Sequence, residues 1–300
     1  MQQVVRELGY RPSSIARALV AGQTRVLALL VSDLSNPFYP QLAKAVEREA
    51  SSAGYAVVIC NTDDDDEAAL RSLERLLMQG LDGVIYASGS GNEGKLLELL
   101  GEPRRLVFAN RRPRTEACSF VVSDNKHGSV ELTRHLLELG HRHIGFVSGP
   151  SFAANATERL AGFHEALREY PDATALVSTG PFAKETGLHA VGGWLDHRFP
   201  LTAVIGVNDT VARGALEASL DRGLRVPEDV AVAGFDNVDL ASSAILRLTT
   251  VAQDIQTMGS TAVRLLLDQL RSVEDFVPQH TVLSATLLPR RTTDQKLERV

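Results

Sequence analysis

Apolar runs and helical stripes alternate along almost the whole chain. Val26-Leu27-Ala28-Leu29-Leu30-Val31 is continuously apolar, as expected of a strand buried on both faces. Ser35-Asn36-Pro37 makes a turn whose proline suits a helix's first turn, and Phe38, Leu42, Ala45, Val46 and Ala50 then recur at helical spacing up to Gly54. The same alternation continues. A strand at 56–60 precedes a helix opened by Asp63 to Asp66 that ends at Gly80. A strand at 83–86, a helix near 93–100 and a strand at 106–108 follow. A second series starts after Asp124: helix 126–139, strand 144–147, helix near 157–169, strand near 175–178, helix near 184–196, strand 203–207, helix 209–222 and strand 230–234. A last helix spans 255–271, and 295–300 reads as a frayed end.

Repeated βα units with short connections imply a parallel sheet with right-handed crossovers. Two such series of similar size imply an α/β fold of two doubly wound parallel-sheet lobes. No long linker separates them, so the chain is expected to cross between the lobes by strands. Ligands of such sheets sit outside the carboxyl ends of the strands, which places the candidate site between the lobes.

Composition narrows the function. The 300 residues are 44% hydrophobic and 23% charged, ordinary for two packed domains. No apolar run approaches the roughly 20 residues of a membrane span, and the start of the chain shows no signal core, so a cytoplasmic location without membrane partners is expected. Cys60 and Cys118 form neither a disulfide framework nor a metal signature and read as buried apolar side chains. A net charge of −6 disfavours general coating of nucleic acid. The charge is uneven: residues 1–25 carry Arg6, Arg11, Arg17 and Arg25 against Glu7 alone, a local +3 that leaves −9 for the remainder. A basic head on an acidic body is the pattern of an interaction arm.

Candidate chemistry is sparse. Gly89-Ser90-Gly91-Asn92-Glu93-Gly94 matches a dinucleotide-binding fingerprint, but it follows the third strand of its series. The next strand ends at Asn110 where a ribose-binding acid is required. Asp63 to Asp66 cannot all face one ion, and acids at a helix start are explained by the helix dipole. In His141-Arg142-His143 the histidines alternate into a strand and point opposite ways. Neither a metal nor a cofactor is expected, and no nucleophile–base set supports an enzyme. In the head, Val4, Val5 and Leu8 share a helical face ended by Gly9. Ser13 or Ser14 can cap a second short helix through Val20, too short to be stable without a partner. Docking on the body and contact with DNA stay equally open for it.

The run from Glu7 to Leu19, with Ser35 to Tyr39, Gln79 to Ile85 and Leu139 to Gly145, closely resembles the LacI/GalR family of bacterial transcriptional regulators. Glu158 to Phe163, Val207-Asn208-Asp209, Gly223 to Val230, Gly234 to Asn237 and Leu248 to Val251 continue the resemblance in order. It implies periplasmic-binding-protein-like lobes of type I, a homodimer, and a hinge helix in the DNA minor groove. Leu19 matches the wedge leucine; Tyr10, Ser13, Ala16 and Arg17 match positions near the groove or phosphates, with Ser13 replacing a common asparagine. Residues 1–24 would be the remnant of a DNA-binding domain and hinge, lacking the helices that read the major groove. Residues 25–124 with 254–284, and 125–253 with 285–300, would be the two effector lobes. The resemblance implies a cleft lined by Phe38, Tyr39, Asn110, Asp124, Arg159, Phe182, Asn208, Asp209, Asp236 and Gln253. That set suits a sugar effector, whose occupancy would control affinity for operator DNA. A transport-type sugar-binding protein, or an effector-binding fragment without DNA binding, is the alternative.

Overall fold

The computed structural model describes residues 23–88, 93–272 and 276–294. The expectations for Tyr10, Ser13, Ala16, Arg17 and Leu19, for the two head helices, for the loop at 89–92 and for the end at 295–300 lie outside the described residues.

The first series gives β1 (Val26–Val31), α1 (Phe38–Ser52), β2 (Ala56–Asn61), α2 (Asp66–Met78), β3 (Gly83–Ala87), α3 (Glu93–Leu100), β4 (Leu106–Ala109) and β5 (Ser119–Ser123). The second gives α4 (Asn125–Glu138), β6 (His143–Ser148), α5 (Ala154–Leu167), β7 (Thr174–Thr179), α6 (Lys184–Asp196), β8 (Ala203–Gly206), α7 (Asp209–Asp221), β9 (Ala231–Asp236), the short α8 (Asp239–Ser242) and β10 (Thr249–Gln253). Then come α9 (Ile255–Arg271), β11 (His280–Leu283) and β12 (Ala285–Leu288).

Two six-stranded sheets result, ordered β11-β5-β4-β3-β1-β2 and β12-β10-β9-β8-β6-β7. The α/β architecture of two wound lobes is therefore as the pattern implies, with one amendment. β12 runs antiparallel to β10, because only one residue separates it from β11 and it enters the second sheet from the opposite end. Every other pairing is parallel.

Strand β1 shows why a continuous apolar run was required. Leu27, Leu29 and Val31 face one core with α1 and α9, while Ala28 and Leu30 face another with α2 and α3. The alternation of strand side chains thus feeds two separate apolar layers. In the second lobe a single cluster spans both faces, built on Ile144, Phe146, Val204, Val232, Phe163 and Val191. The acids at 63–66 do cap a helix: Asp65 accepts hydrogen bonds from the N–H groups of Glu67 and Ala68 at 2.9 and 3.0 Å. Cys118 is buried, but Cys60 is only half-buried, because β2 is an edge strand with exposed neighbours.

The chain passes between the sheets three times: after β5, after β10 and between β11 and β12. Two crossings are tied together by the Asp124 N–H donating to the Leu283 carbonyl at 2.8 Å. Asp124 and Asp254 then cap α4 and α9 immediately beyond their crossings, accepting from His127 N–H and Thr257 N–H.

Candidate ligand-binding cleft

Parallel sheets deliver residues to one edge. Ser32 follows β1, Asp64 follows β2, Ser88 follows β3 and Asn110 follows β4; in the facing lobe Asn208 follows β8 and Asp236 ends β9. The first turn of α1 adds Phe38 and Tyr39, and the first two turns of α5 add Asn155 and Arg159. Phe182 comes from the connection between β7 and α6. Its ring lies where a side chain at residue 149 would stand, since a Cβ on Gly149 would fall 2.4 Å from Phe182 Cε1.

These residues surround three adjoining hollows, open to solvent, that share Tyr39 and Phe182. A gap between two lobes is a common place for a small ligand. The innermost is lined by Asn36, Tyr39, Asn110, Arg159, Asn208 and Asp236, among others. The outer two add Ser32, Asp64, Ser88 and Arg111, with Asp33 and Asp63 at the mouth.

At the base of the inner hollow Arg159 and Asp236 form an ion pair at 3.2 Å, both nearly inaccessible to solvent. Arg159 is held on every side. Its Nε donates to Asn125 Oδ1 at 2.9 Å, its Nη1 to the Val207 carbonyl at 2.7 Å, and its Cζ lies 3.8 Å from the centre of the Phe235 ring. Among the described residues its Nη2 makes no hydrogen bond, so one arm of a rigid fork remains for a ligand. Gln253 Nε2 donates to Asp236 Oδ1 at 2.6 Å. Burial raises the Asp236 carboxyl above the usual range, opposed by the Arg159 charge and the Gln253 hydrogen bond. Burial likewise lowers Arg159, opposed by Asp236 and Asp209.

Of the ten residues expected at the cleft, seven line it: Phe38, Tyr39, Asn110, Arg159, Phe182, Asn208 and Asp236. Phe38 is 1% exposed and offers little more than an edge, packed at 88° against Tyr39. Asn208 also caps α7, accepting from Val211 N–H at 2.9 Å. The other three do not line these hollows. Gln253 orients Asp236. Asp209 is turned into the lobe, accepting from Thr250 Oγ1 at 2.6 Å and Val238 N–H at 2.9 Å; burial, then the Asp236 charge, push it up to about 8. Asp124 is occupied as the cap of α4.

Sequence reasoning missed Asn36, Asp64, Ser88, Arg111 and Asn155 as lining residues. Backbone conformation marks part of what was missed. Asp63, Asp64, Asn110 and Asp236, which border the hollows, all have positive φ, between 53° and 109°. Such conformations cost about 1–3 kcal/mol each and cluster where side-chain placement matters.

The description "periplasmic binding protein-like domain" matches residues 133–293, slightly more than half of the chain. A ribose operon repressor of Halalkalibacterium halodurans is 37% identical over 268 residues, 89% of this chain and 80% of the relative. The chain belongs to the LacI/GalR family of transcriptional regulators. Within this family it is also 34% identical to the regulator DegA of Bacillus subtilis, over 87% of this chain and 78% of the relative. Among solved structures, the transcriptional regulator CelR in a cellobiose complex superposes with a TM-score of 0.81 at 31% identity, covering 97% of this chain and 89% of that one. The lac repressor dimer bound to operator and an anti-inducer superposes at 0.85 with 25% identity, covering 97% and 88%. These relatives are transcriptional regulators, not enzymes, and among the described residues no helix is long and apolar enough to cross a membrane.

Proposed function

We propose that this LacI/GalR-family regulator is a cytoplasmic homodimer and a repressor whose affinity for operator DNA is controlled by a sugar bound in the cleft, without catalysis. The Arg159–Asp236 pair supports this reading most directly. It presents a fixed donor and a fixed acceptor side by side at the base of a half-dry hollow, a pairing that adjacent sugar hydroxyls complement because each hydroxyl both donates and accepts. Tyr39 and Phe182 supply apolar area for the carbon face of a ring. The relatives fit: a ribose operon repressor, a regulator in complex with cellobiose, and a LacI family regulator from Enterococcus faecium with bound ribose.

The seven lining residues are the proposed contacts; Gln253 and Asp209 are proposed to position them, and Tyr10 to Leu19 to serve at the DNA. The test has two arms. Calorimetric titration of pentoses, hexoses and disaccharides against the full protein should find a saturable sugar, and failure of every sugar would overturn the effector class. Recovery of genomic DNA fragments on the protein should then change when that sugar is added. Equal recovery with and without it would overturn the control of DNA binding.

A further inference from the structure

The outer part of the cleft carries information that the Arg159–Asp236 base does not. Each arginine at the cleft is matched by a buried carboxylate: Arg159 by Asp236, and Arg111 by Glu93 at 3.2 Å with both side chains largely buried. Among the described residues no lysine and no other arginine lines any of the three hollows. The nearby Arg112 and Lys184 face Glu158 and Glu217. Asp64 borders both outer hollows, and Asp33 and Asp63 flank the mouth beside it. The Asp64 charge reaches the inner wall: it helps burial raise the Tyr39 phenol, against the hydrogen bond from Ser32.

A second observation points the same way. Asn110 is 7% exposed, lines both the inner hollow and its neighbour, and its Oδ1 is buried without a hydrogen-bond partner. Its backbone is fixed at φ 57° with its N–H donating to the Val121 carbonyl. A buried, unsatisfied acceptor is costly and calls for a donor from the ligand. Hydroxyl and ammonium groups donate. A phosphate ester or carboxylate that is ionised at neutral pH only accepts.

We infer that Asp64 is a specificity-determining residue that, with the acceptor of Asn110, restricts the effector to neutral or cationic hydroxyl-rich molecules and rejects phosphorylated or acidic sugars. Like charge placed against a half-dried wall discriminates mainly by penalising the wrong ligand. The cap of α2 is made by its neighbour Asp65, so a change at Asp64 leaves that cap in place. Asparagine tolerates the same left-handed backbone, so Asp64→Asn removes the charge without straining the loop.

This inference rests on the sugar-binding reading, and its test separates the two. Binding of glucose, 6-amino-6-deoxyglucose and glucose 6-phosphate, and of ribose and ribose 5-phosphate, is measured by calorimetry on the full protein, on Asp64→Asn and on Glu74→Gln. Glu74→Gln removes the same charge from an exposed position of α2. In the wild type the neutral sugar should bind at least about tenfold more tightly than its phosphate ester, and the amino sugar more tightly than the phosphate at the same carbon. Asp64→Asn should shrink the neutral-to-phosphate ratio about tenfold, and Glu74→Gln should leave it unchanged. An unchanged ratio in Asp64→Asn, or a wild type that prefers the phosphate ester or binds it equally, overturns the inference while sugar binding stands. The wild-type order of amine over phosphate tests it even if the variant does not fold. Absence of binding by every sugar overturns the sugar-binding reading itself, and the inference with it.

Discussion

Replacing Arg159 by methionine keeps the length and apolar stem of the side chain but removes its charge. Lost with it are hydrogen bonds to Asn125 Oδ1 and the Val207 carbonyl and the 3.2 Å pair with Asp236. Removing one member of a buried pair costs about 3–5 kcal/mol, much of it from the charge left behind. Asp236 limits the loss: burial raises its carboxyl and the Arg159 charge opposes that, so loss of Arg159 favours its protonated form further. A protonated Asp236 and an asparagine at 236 are then nearly equivalent, since either still accepts from Gln253. Asp236→Asn should therefore cost about 3–5 kcal/mol in the wild type, where it strands the Arg159 charge, and less than about 0.5 kcal/mol in Arg159→Met. The assay is urea unfolding at pH 7 followed by the fluorescence of Trp194. This single tryptophan packs over Gly145 in the lobe that holds the pair. Equal cost of Asp236→Asn in both backgrounds would refute the coupling, and with it the argument that the base of the cleft is one electrostatic unit.

Asp209 predicts a pH dependence. Its folded pKa of about 8 stands above an unfolded value near 3.9. Its contribution to stability is therefore fully present below about pH 4 and lost progressively up to about pH 8, by several kcal/mol at most. The urea midpoint should fall between pH 5 and pH 8, and Asp209→Asn should flatten that fall; an equally steep fall in the variant would exclude Asp209 as its source. Gly214 and Gly193 predict opposite signs for the same change. A Cβ on Gly214 would lie 1.9 Å from the Lys184 carbonyl oxygen, so Gly214→Ala must part α6 from α7 and should cost about 1–3 kcal/mol. Gly193 on α6 has nothing within 4 Å, so Gly193→Ala should stabilise by about 0.5–1 kcal/mol; melting temperatures moving the same way in both variants would contradict this packing.

Legibility followed local determinism. The bounds of α9 are readable to the residue, because an apolar stripe begins at Ile255 and runs to Leu267, and α6 lies where the sequence places it approximately. Helix α5 begins three residues before the sequence places it, since nothing in Ala153-Ala154-Asn155 caps or periodically marks its start. Strands β5, β11 and β12 escaped notice for a different reason. They have four or five residues each, and β11 and β12 are half-exposed edge strands whose place depends on a partner far away in the chain. The cleft was legible where family-like motifs supplied it, as at Arg159, Asn208 and Asp236. It was not legible at Asp64, where one run of four aspartates divides its duties: Asp65 caps α2 and Asp64 faces the cleft. Periodicity cannot divide adjacent identical residues, and only their φ values do. Asp209 shows the reverse error, for beside Asn208 it reads as a cleft residue, yet Gly234 leaves room for it to turn inward.

The division of the cleft between lobes bears on how binding is transmitted. Asp64 and Asn110 follow strands of the first sheet, whereas Asp236 ends a strand of the second and Arg159 stands on α5 beside it. Across the gap Arg112 Nε meets Glu158 Oε1 at 3.2 Å, both partly exposed, and a pair of that kind contributes about 0–1 kcal/mol. Val238 of the second series packs into the apolar core of the first. The lobes are thus joined firmly at three strand crossings and only lightly at the rim. A ligand held by one wall alone would bind open and closed forms equally and shift nothing, however tightly it bound. A molecule that satisfies Asn110 on one wall and Arg159 on the other gains its second set of contacts only when the lobes approach. That difference is the whole of the free energy available to alter the regulator's hold on DNA.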